Sequence, residues 1–336
     1  MKRWPTFSIR SKGRLLAGLA LLTLLAAILS ICLGAVFVPP DKIPAILSGQ
    51  LAGTPEAQII RFARLPRTLG CLLAGMALAV SGAVIQGVLN NPLAAPNIIG
   101  VNSGAGLAVA LGSAFFPGFS SPVAAFFGAL AGVLLVLFIA EKTGAARITL
   151  VLAGVAVSSM FGAGIDAVLT FVPDALNGYT DFRIGGLENL TMNRILPAFW
   201  VILIAMILVL LLSGELDILL LGAETAQSLG LPAKPLRLVL LALAAALAGA
   251  SVSFCGLLGF VGLIVPHIMR RLAGEESLCL LISCALGGAA LLTFCDLLAR
   301  ILFAPYELPV GIVLSLGGGP FFIWLLLRQR GGRTHD

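Results

Sequence analysis

Apolar runs long enough to cross a lipid bilayer recur from one end of this 336-residue chain to the other. Inside hydrocarbon no water is available to satisfy backbone N–H and C=O groups, and a helix satisfies them within its own segment. A crossing takes about 20 apolar residues. On that ruler ten candidate helices cover 15–37, 67–89, 98–114, 120–140, 148–171, 195–212, 236–254, 256–268, 278–298 and 309–327. The eighth is too short to cross alone and needs its neighbours to reach a membrane face. A mean hydropathy of +1.09, with 59% hydrophobic and 11% charged residues, places the chain among integral membrane proteins rather than two-domain soluble ones. The first run follows a basic start but lacks a small-x-small cleavage site, so a retained helix is expected and not a removed signal peptide.

The formal charge of +6 would suggest nucleic acid in a soluble protein, but here the basic residues gather at the ends of apolar runs, where they set topology. With both termini inside, 14 Lys and Arg fall on the inner side and 7 on the outer. Cytoplasmic termini are therefore expected. Arg61, Arg64 and Arg67 in "RFARLPRTLG" run against this bias, because the connection that carries them lies outside. Arg61 reads most simply as an interfacial anchor whose charge snorkels to the headgroups.

Glycines four apart, Gly100 with Gly104 and Gly128 with Gly132, predict close helix packing in lipid. Two stretches look like distant copies: Ala77 to Ile99 and Ala246 to Met269 share Ala-Leu-Ala, a glycine ten positions on, and a proline followed two residues later by isoleucine. The first enters from outside and the second from inside, the arrangement of an inverted repeat; chance similarity of small apolar residues is the alternative. Six cysteines without a C-x-x-C pair indicate neither a disulfide framework nor a zinc site.

Four polar groups could serve a path through the membrane. Gln86, Asn90 and Asn91 precede the proline-rich "NNPLAAPN"; they either line a water-filled route or form a turn with an asparagine cap. Asp166 lies in the fifth apolar run, where an acid is a functional candidate unless it is merely interfacial. Asp296 and Arg300 are four apart and can pair on one helix. The inner connection 213–235 contains a short amphipathic stretch from Glu224 to Leu229, ended by Gly230 and Pro232. Its length favours a docking surface over a plain connector. The chain has no G-x-x-x-x-G-K-[ST], H-E-x-x-H or G-x-S-x-G, so ATP energy would have to arrive through another subunit and catalysis within this chain is not expected.

"RLPRTLGCLLAGMALAVSGAVIQGVLNNPLAAPNIIGVNSGAG", "LGAETAQSLGLP", "GFVGLIVPHIMRRLAG" and "ELPVGIVLSLGGGPFFIWLLLR", in that order over nearly the whole chain, resemble the FecCD family of ABC-importer permeases. The resemblance implies an all-α membrane protein of type II importer architecture, a single transmembrane unit over 1–336 with cytoplasmic ends at 1–14 and 328–336. It implies a second, identical permease subunit, two ATPase subunits that carry ATP and Mg, and a periplasmic or lipid-anchored binding protein that brings ferric siderophore, haem or cobalamin to the bacterial inner membrane. No cofactor is expected on this chain, and no nucleic acid. By position, Gly222, Glu224, Thr225, Ala226, Leu229 and Gly230 match the segment that couples to the ATPase. Arg64, Arg67 and Arg300 match external arginines that face acids on the binding protein, and the fifth and tenth helices line the path. Two departures stand out: "DFRIGGLENL" before the sixth helix, and Gly256-Leu257 where the family often has Gly-Pro, a leucine expected simply to continue a helix. An ion-coupled secondary transporter is the alternative function, for which Asp166 is the one free intramembrane acid; a membrane-embedded enzyme lacks its residues.

Overall fold

A computed structural model describes residues 9–34, 36, 38–51, 53–116, 118, 120–143, 147–304 and 306–330, and among these every regular element is helical. Ten helices occupy the ten expected runs. They are α1 (Ile9–Cys32), α4 (Leu65–Leu89), α5 (Val101–Phe115), α6 (Ser121–Lys142), α7 (Arg147–Phe171), α9 (Met192–Leu211), α12 (Ala233–Cys255), α13 (Val261–Ala273), α14 (Ser277–Ile301) and α15 (Val310–Arg330). Between them lie the short α2 (Ile43–Leu47) and α3 (Pro55–Gln58), then α8 (Ala175–Ile184), α10 (Ser213–Leu220) and α11 (Ala223–Ser228). Seven helices among the described residues are long and apolar enough to cross a membrane; α5 and Val310–Leu325 are apolar but shorter. Phe37, the expected end of the first span, and the terminal segments 1–8 and 331–336 lie outside the described residues.

α4 is the axis of the bundle. Its apolar window is 78% buried, against 17% for α1 and 22% for α7, because α14, α12 and α13 surround it while α1 and α7 sit at opposite margins. Lipid tails are as apolar as leucine, so close van der Waals contact between backbones must hold these helices together. Small residues provide it. A Cβ on Gly75 would stand 2.2 Å from the Gly288 carbonyl oxygen, joining α4 to α14, and one on Gly104 would stand 2.2 Å from Gly128 O, joining α5 to α6. Gly132 likewise meets Gly100, so the four-residue glycine spacing does the packing expected of it.

The two similar stretches lie against each other: the backbones of Gly82 and Gly262 touch so closely that a Cβ on Gly82 would be 1.8 Å from Gly262 O. Just before the second stretch, Ala244 O accepts from Ser81 Oγ at 2.6 Å.

α13 begins later than its sequence suggests. α12 ends at Cys255, and residues 256–260 run without helix to Val261. Leu257 therefore does not continue a helix, which corrects the expectation for that position; its N–H instead donates to Phe182 O at 3.0 Å, tying the segment to α8. Proline there could not make that bond. Phe260 closes the segment with φ +66, a conformation that costs a bulky residue energy, and its ring fills the space beside Gly318 of α15.

Candidate functional site

One end of the bundle holds a cluster of buried charge. Arg64 closes a π-helical stretch at 59–64 and Arg67 lies in the first turn of α4. Asp296 and Arg300 lie near the end of α14. Arg67 Nε is 3.0 Å from Asp296 Oδ1 and 3.1 Å from Oδ2, and Arg67 Nη1 donates to Glu307. Arg300 Nε is 3.1 Å from Asp296 Oδ2, the expected pairing across one turn, and its Nη2 donates to Ser30 Oγ at 2.6 Å. Arg64 donates to the Ile31 and Cys32 carbonyls at 2.8 and 2.7 Å and also to Val36 O. It thereby satisfies carbonyls that the end of α1 leaves without helical partners.

This geometry corrects the outward orientation expected of these arginines. Arg64, Arg67 and Arg300 are only 4%, 6% and 3% exposed, and each makes hydrogen bonds inside the chain, while Arg67 Nη2 and Arg300 Nε have no hydrogen-bond partner among the described residues. For Arg67 and Arg300 the physical reason is Asp296, wholly buried, because a buried carboxylate needs cationic partners; for Arg64 it is the open carbonyls at the end of α1. Arg61 is corrected as well: its Nη2 donates to Ile46 O at 2.8 Å, capping α2 rather than reaching for headgroups. Sequence reading missed Glu307, although a lone acid between Pro305 and Pro309 just past α14 was a signal for it.

At the same end a cleft of about 450 Å³ opens among α6, α8, α9 and α12, lined by Asp181, Glu188, Asn189, Arg194 and Ser253. Three of these residues come from the "DFRIGGLENL" departure or its border. Glu188 folds its carboxylate back over Gly186, where a Cβ would be 2.2 Å from Oε2. Burial pushes its carboxyl above the usual carboxylate range, against smaller lowering effects that include Arg67.

The path candidates separate. Gln86 is enclosed between α4 and α13, with Nε2 3.3 Å from Gly262 O and 2% exposure, so it faces no open route. Asn90 ends α4 in the left-handed conformation, φ 48, and Asn91 Oδ1 accepts from Leu93 N–H at 3.0 Å. These two form the capped turn that sequence left as the alternative. Asp166 is different. It lies on the exposed face of α7 with Leu152, Val155, Met160 and Phe171.

At the opposite end, the connection after α9 folds as α10 and α11. Gly222 and Gly230 bracket α11 with φ +115 and +82, values that let the chain turn sharply on both sides. Ala226 is its buried anchor, while Leu221 and Leu229 are 67% and 61% exposed, as are Glu224 and Thr225.

Comparison with known proteins bears on both ends. The sequence model of the FecCD transport family matches residues 22–328. The chain is 42% identical over 283 residues to the hemin transport system permease protein of Yersinia pestis, covering 81% of this chain and 84% of that one. It is 38% identical over 312 residues to an Fe(3+)-citrate import system permease protein of Bacillus subtilis, 92% and 93% covered. To the vitamin B12 import system permease protein of Klebsiella pneumoniae it is 36% identical over 331 residues, 96% of each. Among solved structures, a metal-chelate type ABC transporter in an inward-facing conformation is similar with a TM-score of 0.84 and 30% identity, covering 94% of this chain and 99% of that one.

Proposed function

The chain belongs to the FecCD transport family and is a permease subunit of an ABC importer, and from that premise we propose that its cargo is a ferric siderophore, haem or a cobalamin-like chelate moved inward across the bacterial inner membrane. Relatives named for hemin, ferric citrate and vitamin B12 support this range of cargo. They have in common a large metal chelate.

The observation that carries the mechanism is α11, a short helix held by Ala226 and offering Leu229, Glu224 and Thr225 beyond the bundle. It suits docking into a cleft on a separate ATPase subunit, two of which would bind ATP and Mg. In this reading the α11 end is cytoplasmic, the termini lie on that side, and the charged cluster with its cleft faces outward toward a periplasmic or lipid-anchored binding protein. Arg64, Arg67 and Arg300 serve that docking face from beneath, by fixing the ends of α1, α4 and α14 on which the outer surface rests. Residues 1–336 act as one transmembrane unit.

A second, identical copy is proposed opposite α7 and α15. Their exposed faces, with Leu152, Val155 and Met160 on one and Leu316, Ile323 and Leu327 on the other, suit a partner chain or a shared path. Asp166 supports the path, since a carboxylate on a spanning helix needs water or a partner beside it. The test is uptake of labelled ferric siderophores, haem and cobalamin by cells with and without this chain. Loss of ATP-dependent uptake of one of them identifies the cargo, and uptake that follows an ion gradient without ATP overturns the reading.

A further inference from the structure

α10 joins α11 to the bundle through an apolar face and a polar bond. On the apolar side Leu216 and Leu219 are buried, and Leu216 Cδ1 would lie 3.3 Å from a Cβ on Gly87 of α4. On the polar side, Ser277 N–H donates to Asp217 Oδ1 at 2.9 Å across 60 residues of sequence. Ser277 is the first residue of α14. Glu276, at the cap position, has the extended backbone that a capping residue takes, φ −61 and ψ 119, yet makes no side-chain cap bond. The first turn of a helix leaves N–H groups without partners, and aspartate is among the best acceptors for them. α14 is thus capped by a carboxylate borrowed from α10.

We propose that Asp217 is a positioning residue that ties the α10–α11 segment to α14, so that displacement of α11 reaches the opposite end of the bundle through one helix. The two attachments of α10 differ in kind. Leucines against a glycine surface can slide by fractions of a turn at little cost, because dispersion is non-directional. A charge-assisted bond to a backbone N–H holds distance and direction. α14 is 25 residues long, about 37 Å at the helical rise, and its far end carries Asp296 and Arg300, bonded to Arg67 and Ser30. One rod is therefore gripped by polar bonds at both ends. The inference rests on the reading that α11 contacts an ATPase.

The test uses the full permease co-purified with its ATPases and needs no cargo. Hydrogen exchange in 296–301 is compared with and without a non-hydrolysable ATP analogue. In the unaltered complex the analogue changes exchange there. In Asp217→Ala the complex still assembles, and the change shrinks by about fivefold or more, the scale of ordinary coupling between sites. Asp217→Asn, which keeps an acceptor oxygen, retains most of the response. The double variant Asp217→Ala with Glu276→Asp places a local cap on α14; it recovers the melting temperature lost by the single variant but not the response. Recovery of the response by that local cap, or a full response in Asp217→Ala, overturns the proposal and leaves Asp217 a mere cap. Loss of ATPase co-purification from the unaltered chain overturns the reading of α11 instead.

Discussion

Arg67 of α4 and Asp296 of α14 meet with Nε 3.0 Å from Oδ1, joining the ends of two spanning helices 229 residues apart. Asp296 also faces Arg300, so a single carboxylate balances two guanidinium groups. Asp296→Ala leaves Arg300 without a carboxylate partner and Arg67 with Glu307 alone, and removing one partner of a buried pair costs about 3–5 kcal/mol. Thermal unfolding in detergent will show the loss, with Asp296→Asn falling between the variant and the native chain.

Arg64 gives a different signature. Its partners are the Ile31, Cys32 and Val36 carbonyls, and Arg64→Ala orphans the end of α1 at a cost of about 1–3 kcal/mol. Because the bonds are buried, the fall in melting temperature will be nearly the same in about 0.05 M and about 0.5 M salt, where exposed charges are screened very differently. A strongly salt-dependent defect would instead mark Arg64 as an outward-facing charge.

Gly82→Ala forces a methyl group to within 1.8 Å of the Gly262 carbonyl oxygen. Neither backbone can yield alone, so overpacking of at least about 1–3 kcal/mol follows. Gly18, with nothing within 4 Å of its Cβ position, is the control. The folded fraction after detergent extraction, read by size-exclusion profile, will fall for Gly82→Ala and hold for Gly18→Ala.

Leu229→Asp places a charge on the exposed apolar surface of α11 while leaving the buried Ala226 anchor in place. Its melting temperature will match the native chain. Co-purifying ATPase will drop by about tenfold or more, the effect of losing about 1.4 kcal/mol of contact.

Glu188 titrates in the direction set by burial. Its folded carboxyl is raised above the usual range, so the folded state binds its proton more readily than the unfolded one. Stability from this group is then greatest at low pH and is lost as pH rises through the folded value. Glu188→Gln removes that penalty. The variant will melt higher than the native chain near about pH 7, and the gap will close as pH falls below about 4, where the carboxyl is increasingly neutral folded and unfolded alike.

Helix identity was legible locally. Each apolar run holds a helix among the described residues, because a backbone in hydrocarbon must satisfy itself within its own segment. The glycine pairs at Gly100, Gly104, Gly128 and Gly132 declared packing by spacing alone, and α11 was marked by Gly222, Gly230 and the amphipathic residues between them. The start of α13 was not legible. Residues 256–260 are as apolar as a helix, and what ends the helix is the bond from Leu257 to Phe182, 75 positions earlier. Asn90 and Asn91 could be read two ways from sequence, and the turn that one reading expected is present.

Contiguous residues alone show that this chain is a helical membrane protein of one transport family, since hydrophobic length and long motifs are local properties. What its charges contact follows from the packing of distant helices. Counting positive residues placed Arg64, Arg67 and Arg300 on one side of the membrane, but a charge count carries no information about partners. The orientation of Arg67 and Arg300 depends on Asp296 and Ser30, brought beside them by α14 and α1, and that of Arg64 on the carbonyls at the end of α1. A guanidinium held out of water needs a charged or hydrogen-bonding partner to offset its desolvation, and no local pattern reveals which distant group that partner will be.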